Sequence, residues 1–517
     1  MNVPVLGIDL GTRYALSALP MPGKGVVVVP SRWGGARTPS VSAWTQSGWS
    51  AGEDAARGEM RNPSTTWWDM KRKLGTSWKA RCGRSFCTAE DVLVPLLTLL
   101  REDAEAFLGA FISSCVLTVP ASFSFAERAA AGRVARSAGF SSVRIINEPT
   151  AAALAFGAAG KFLILDYGAG TVDISVVESE GGVWQVLEST GMPSAGGRDF
   201  DTALAARLNE KMGIPRLEEH SPLWRALLSE SEALKIALSS CASCEWTPPA
   251  GVSCPPFRVT RPEFEELIRP GIEQVATVVQ RLWRKYRPSR LLLVGGGSRI
   301  PLLRALLEER VARPEHLNQC PDESVVTGAA LYGTAPAKER LLLDVLSQDL
   351  GILAADGSPV SLLEKGSHLP ARAERKFLSV GEGAFTMHVF QGEGASRRVI
   401  AAVQAPEARK DEEITLSFSV NSDGLLRIDI IRSDGRVSSI APLELGETPP
   451  PSSSEMPEEA RELEKRFARL SPVLSPAQQA RGASLFRMVK TLGEGEFFSE
   501  AFDSLERMIV EMERVVR

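Results

Sequence analysis

Two short segments carry the residue types that phosphate chemistry needs: Asp9-Leu10-Gly11-Thr12 near the start, and Asp166-Tyr167-Gly168-Ala169-Gly170-Thr171-Val172-Asp173 further on. Glycine at Gly11, Gly168 and Gly170 lets a turn bring backbone N–H groups close to phosphate oxygens, and Thr12 and Thr171 add hydroxyl donors. Asp9, Asp166 and Asp173 are carboxylates suited to Mg2+, usually through waters because magnesium sheds them reluctantly. Together the two turns read as halves of one clamp for a nucleotide triphosphate. Either alone reads equally well as an ordinary hairpin, since Asp-Gly pairs mark hairpins everywhere.

The segments flanking both turns read as strands, and they resemble each other. Val5-Leu6-Gly7-Ile8 and Ala15-Leu16-Ser17-Ala18 around the first match Phe162-Leu163-Ile164-Leu165 and Ile174-Ser175-Val176-Val177 around the second. This repeat of strand, turn and strand implies duplicated lobes. Neither a Gly-x-x-x-x-Gly-Lys-Ser/Thr loop nor a Gly-x-Gly-x-x-Gly fingerprint accompanies it, which argues against P-loop and Rossmann nucleotide binding.

A chain of 517 residues, 44% hydrophobic and 24% charged, is long enough for several cores, and three or four domains are expected. A net charge of −4 lacks the basic footprint of nucleic-acid binding. The start Met1-Asn2-Val3-Pro4 shows no charged leader and no stretch reaches membrane-span length, so no membrane partner and a cytoplasmic location are expected. Seven cysteines suggest reduced thiols rather than a disulfide frame. Cys241-x-x-Cys244 with Cys254 hints at zinc but lacks a fourth ligand, and reads as free thiols on short strands. None of the four histidines sits in a glycine-rich motif, and His388 alternates with Phe385, Met387 and Val389 as if on the opposite face of a strand.

Leu117-Thr118-Val119-Pro120-Ala121-Ser122-Phe123 through Arg144-Ile145-Ile146-Asn147-Glu148-Pro149-Thr150-Ala151-Ala152-Ala153-Leu154-Ala155 closely resembles the DnaK-type, seventy-kilodalton heat-shock chaperone family. So do Gly196-Gly197-Arg198-Asp199-Phe200-Asp201, Ser231 to Ser240, Leu293-Val294-Gly295-Gly296-Gly297-Ser298-Arg299-Ile300-Pro301 and Pro321-Asp322-Glu323-Ser324-Val325, in the family's order. The resemblance implies an α/β actin-like, two-lobed ATPase domain over 1–338, closing on ATP or ADP with Mg2+. Leu341-Leu342-Leu343-Asp344-Val345 matches the family's apolar linker, placed at 339–345, although such a run is most often a buried strand. Sugar kinases share the fold but have no such linker followed by a β-sandwich.

An all-β peptide-binding sandwich is expected over 346–445, where Ile414, Leu416, Phe418 and Val420 alternate with polar residues up to Asp423-Gly424, followed by Leu426, Ile428 and Ile430. A Pro/Ser linker over 446–456 then leads into a short α-helical, lid-like segment over 457–517. There Phe502, Leu505, Met508, Ile509, Met512, Val515 and Val516 keep helical spacing. That segment is about half the length of the family's lid.

By the same resemblance Asp9, Asp166 and Asp173 surround Mg2+, Thr12 and Thr171 meet phosphate, Glu148 lies near the attacking water, and Lys71 stabilises charge on the transferred phosphate. Without the family, Lys71 reads as a solvated helix face. Glu232, Lys235 and Ser239, spaced by three and four, resemble one helix face of the adenosine pocket, with Gly196, Gly197, Gly295, Gly296, Arg299 and Asp322 framing the nucleotide. Leu350, Ile352, Ala355, Phe377, Val380, Phe385 and Met387 match a peptide groove, though each reads equally as sandwich core. Arg144, Asn147, Thr150 and Asp344 match the positions that meet J-domain co-chaperones. The short segment Cys241 to Pro256 leaves docking of a nucleotide-exchange factor open.

The chain also departs from the family: Arg13 replaces a threonine, Ala169 a glycine, Arg198 an acidic residue and Cys320 an asparagine. Arg13 either slows turnover or adds a phosphate contact. The reading is an ATP-hydrolysing chaperone for exposed apolar peptides. The alternative is a slow or non-hydrolysing nucleotide switch, acting as an interaction protein or exchange factor for another chaperone.

Overall fold

The computed structural model describes residues 4–440 apart from 60, 182, 193, 216, 218–220, 250–251, 317–320, 335–340, 355–356, 380–382 and 395–396; beyond 440 it describes only Leu463, Arg466, Phe467 and Ile509. Ala355, Val380, Cys320, the Pro/Ser tract and nearly all of the C-terminal helical segment therefore lie outside the described residues, as do the side chains of Phe385 and Leu341. Two compact units divide the chain. The first takes residues 1–347 with the short pieces 366–370 and 421–425; the second takes 348–365, 371–420 and the chain from 426.

The first unit contains the same sheet plan twice. β1 (Val5–Leu10), β2 (Tyr14–Met21) and β3 (Gly25–Val28) form an antiparallel meander, and β4 (Ser114–Val119) and β5 (Ser142–Asn147) extend it in parallel beyond β1. The second copy is β6 (Gly160–Tyr167), β7 (Val172–Glu180) and β8 (Val183–Met192), with β9 (Arg290–Val294) and β10 (Glu315–His316) extending it in parallel beyond β6. The apolar run expected as a linker adds a sixth strand, β11 (Leu341–Leu343), parallel to β8.

Alternation along each strand explains the layers. Leu6, Ile8 and Leu10 enter one core with Leu93, Leu96 and Leu97 of α1 (Ala89–Leu108), while Leu163 and Leu165 enter another with Ile272, Val275 and Val279 of a helix over Arg261–Tyr286. The opposite faces of both sheets share a third core, where Val116, Ile146, Ile164 and Leu292 pack with Ala151 and Ala329. Burying each such Leu or Ile contributes about 1.5–3 kcal/mol. α2 (Phe125–Ser137) starts at a reciprocal Ser124–Glu127 capping box, and α3 (Glu148–Phe156) stops at Gly157 with φ 70°. Gly328, on a helix over Ser324–Thr334, lies so close to the Ala151 carbonyl that any side chain would collide, which lets that helix cross α3 between the two sheets.

One expectation is overturned. Cys82 and Cys87 form a disulfide, because the hairpin of Lys79–Cys82 and Ser85–Thr88 brings their Cα atoms to 5.9 Å. Cys241, Cys244 and Cys254 are free thiols.

The second unit holds two four-stranded antiparallel sheets. One orders Pro359–Leu363, Leu350–Leu353, Gly383–Gln391 and Arg398–Ala408; the other orders Ala371–Leu378, Glu413–Val420, Leu426–Arg432 and Val437–Ile440. Ile414, Leu416, Phe418, Leu426, Ile428 and Ile430 are buried, as their period of two demands. The expected hairpin pairs Val420 with Leu426 around Gly424 at φ 72°.

Candidate functional site

The two acidic turns occupy equivalent places, one closing β1 on β2 and the other closing β6 on β7. They meet. A Cβ on Gly170 would strike the Thr12 hydroxyl, and one on Gly196 would stand 2.7 Å from the Ala169 carbonyl oxygen. Gly295, at φ 77°, passes Asp166 so closely that a side chain would stand 2.6 Å from its carboxylate. Within the second turn Gly168 N–H donates to the Thr171 carbonyl at 3.0 Å, and Gly197 N–H donates to the Gly168 carbonyl at 3.0 Å.

Beside the turns lies a buried cluster of charge. Asp166, Asp173, Glu148 and Lys71 are buried and Asp9 is partly so. Lys71, in a single 3-10 turn over Met70–Lys73, donates to Glu148 at the start of α3. Burial, reinforced by repulsion from Glu148, pushes Asp9 and Asp173 up to about 7. Hydrogen bonds oppose this: the Thr118 hydroxyl donates to Asp9 at 3.0 Å, and the Ser122 N–H at 3.0 Å and the Thr171 hydroxyl serve Asp173. Asp166 is also raised, by burial first and then by Glu148, Asp173 and Asp9. Burial alone would lower the Lys71 ammonium, but Glu148, Asp9 and Asp173 outweigh it and hold its pKa above the ordinary value.

The acids outnumber the one lysine among them and their pKa values are raised, and Asp173 Oδ2 is buried without a hydrogen-bond partner. Both observations fit Mg2+. Among the described residues no three His, Cys, Asp or Glu groups converge for direct ligation; Mg2+ usually keeps several of its waters.

The expected nucleoside residues fall into two bonded groups, one on the helix that carries Glu232 and one around Asp322. Glu232, on α5 (Pro222–Ser240, after α4 at Gly197–Lys211), accepts from Arg13 Nε at 2.7 Å. Lys235 donates to the Gly197 carbonyl at 3.1 Å and pairs with Asp201 at 2.7 Å; the Ser239 hydroxyl donates to the Lys235 carbonyl. Arg299 donates to Asp322 at 3.0 Å, and Arg37 reaches the same carboxylate.

A second buried polar cluster joins the linker to α2 and β5. Asn147 Nδ2 donates to Asp344 at 2.8 Å, its carbonyl oxygen accepts from Arg128, and the Val345 N–H donates to Asp344 at 2.8 Å. Burial raises Asp344 against the pull of Val345, Arg128 and Asn147. Arg128 was missed in the sequence, although an arginine leading the Ala129-Ala130-Ala131 run of α2 was its signal. Arg144 instead stacks on Tyr332 at 3.9 Å, and Thr150 keeps a buried hydroxyl without a partner. In the second unit Leu350, Ile352 and Met387 are buried and Phe377 is half-buried. His388 is half-buried between buried Met387 and Val389, as the alternation requires.

The Hsp70 protein family model matches residues 5–86 and 79–466. The chain is 32% identical over 551 residues to the chaperone protein DnaK of Thermotoga neapolitana, covering 98% of this chain and 92% of that one. It is 34% identical over 464 residues to the chaperone protein DnaK of Thermotoga petrophila, covering 82% and 77%. For the chaperone protein DnaK of Thermoplasma acidophilum the identity is 32% over 463 residues, covering 83% and 75%.

Proposed function

The chain belongs to the Hsp70 family, and from that premise we propose how its own residues run the nucleotide cycle. It is an ATP-dependent chaperone and an ATPase, with an actin-like ATPase domain and a β-sandwich. In our reading Asp9, Asp166 and Asp173 hold Mg2+ through its waters, and the ion neutralises charge on the phosphates. Thr12, Thr171 and the backbone N–H groups of Gly11, Gly168 and Gly170 hold phosphate oxygens. Lys71 stays an ammonium at neutral pH because Glu148 faces it, and the pair orders the attacking water and offsets developing charge. Glu232, Lys235, Ser239, Gly196, Gly197, Gly295, Gly296, Arg299 and Asp322 frame the nucleoside.

The observation that carries this reading is the contact of Gly170 with Thr12, which brings the two turns into one site beside Lys71 and Glu148. The exchange-factor alternative is not favoured, because the acids, the threonines and the lysine are all present. We assign the second unit to extended apolar peptides, the Arg144, Asn147, Thr150 and Asp344 positions to a J-domain partner, 457–517 to a short helical lid, and the chain to the cytoplasm.

Calorimetry of the full chain with Mg2+-ATP, followed by single-turnover hydrolysis with and without a leucine-rich peptide, tests the reading. Saturable binding and peptide-accelerated turnover are expected. Undetectable binding would sink the site assignment, and binding without turnover would restore the switch alternative.

A further inference from the structure

Two of the residues that depart from the family pattern, Arg13 and Arg198, lie in different halves of the ATPase unit, and each reaches into the other half. Arg13 follows the first phosphate turn, and its Nη2 lies 2.6 Å from Glu232 of α5. Arg198 sits in the first turn of α4, beside the second phosphate turn, and its Nε donates to Asp69 at 2.8 Å. The crossings are reciprocal, since one half gives the cation at the first and the anion at the second.

They also share a platform. The Arg13 guanidinium stacks 3.9 Å over Trp68, whose chain neighbour is Asp69. On the other side Arg198 approaches Asp201 at 4.0 Å, Asp201 pairs with Lys235 at 2.7 Å, and Lys235 lies one helical turn from Glu232. Arg13, Glu232, Lys235, Asp201, Arg198 and Asp69 thus run as alternating charges from one crossing to the other. Among the described residues three further pairs cross the same gap: Arg37–Asp322, Arg72–Asp199 and Arg225–Glu59. Their arginine side chains are 49%, 33% and 24% exposed, against 14% for both Arg13 and Arg198, so water and salt weaken them more. Stacking and pairing together hold the Arg13 plane in a way a lysine would not reproduce.

We propose that Arg13 and Arg198 are the two crossings of a charge clasp that holds the halves of the ATPase unit closed and slows the release of nucleotide. This rests on the proposed seat of the phosphates between the two turns. Holding the halves together keeps both turns on the phosphates at once, and departure then requires both crossings to break.

Stopped-flow release of fluorescent ADP from the full chain measures it. Arg198→Ala and Asp69→Ala should each speed release by about threefold to tenfold, and the double variant should be no faster than either single one. The charge swap Arg198→Asp with Asp69→Arg should recover slow release, which a lost packing contact would not do. Arg13→Thr should also speed release, and raising salt should speed the wild type more than the Arg198→Ala variant. Unchanged release in folded Arg198→Ala, or a swap as fast as the single variants, would overturn the clasp. If the alanine variants fail to fold, the swap alone decides by the same criterion. Loss of all ADP binding in the wild type would refute the phosphate seat instead.

Discussion

The two acidic turns close equivalent strand pairs and differ in what they carry. In the second, Asp166 and Asp173 lie directly opposite each other across the hairpin; in the first, Asp9 faces Leu16. The second half therefore supplies two of the three acids proposed for the metal. The first half supplies the third of those acids together with Lys71 and Glu148, a cation and anion paired inside the cluster. On the proposed assignment the duplicated halves divide the labour, with metal holding weighted to the second half and charge handling at the reacting phosphate weighted to the first.

The largest effect should come from removing the cation that only the first half provides. Lys71→Ala leaves the three aspartates in place, so Mg2+-ATP binding should persist while single-turnover hydrolysis falls by about 100-fold to 1,000-fold, the size of losing one preorganised electrostatic group. An unchanged single-turnover rate would take Lys71 out of the chemistry. A smaller, more pointed pair compares matched glycines. An added methyl at Gly170 meets Thr12 of the other turn, whereas one at Gly11 meets the Tyr14 carbonyl of its own hairpin. Gly170→Ala should weaken nucleotide binding by about 1–3 kcal/mol with little change in thermal midpoint, and Gly11→Ala should lower the midpoint as well. Equal loss of midpoint in both would mean that the contact between turns is ordinary packing.

Much of this division was legible in the chain. The repeat of Val5-Leu6-Gly7-Ile8 in Phe162-Leu163-Ile164-Leu165 foretold two equivalent hairpins, because strand alternation and glycine turns are local signals. Lys71 was legible only by resemblance, since its basic neighbours disguise a residue that the fold buries against Glu148. The Cys82–Cys87 pairing depended on a hairpin whose register no spacing rule announces. The partners of Arg13 and Arg198 lie 219 and 129 residues away, and nothing local marks Glu232 or Asp69 as their counter-ions. Asp344 shows the intermediate case: its place after three leucines was visible, but its contact with Asn147 required β11 to join the second sheet.

The smallest expected effect concerns protons, and it asks whether the two turns share the metal equally. Asp9 and Asp173 stand at about 7 in the folded chain against 3.8 when unperturbed. Between about pH 4 and pH 7 the folded chain thus holds protons that the unfolded chain has released. Their contribution to stability is fully present below about pH 4 and is lost as pH rises through 7. Mg2+ requires ionised carboxylates, so Mg2+-nucleotide binding should release about one to two protons near pH 6 and almost none above pH 8.5. Calorimetry in two buffers of different ionisation enthalpy counts them. Asp9→Asn and Asp173→Asn should each remove part of the release, and equal parts would mean that both turns meet the ion alike. If release near pH 6 stays whole in both variants, neither aspartate carries the proton, and the weighting of the metal toward the second turn fails with it.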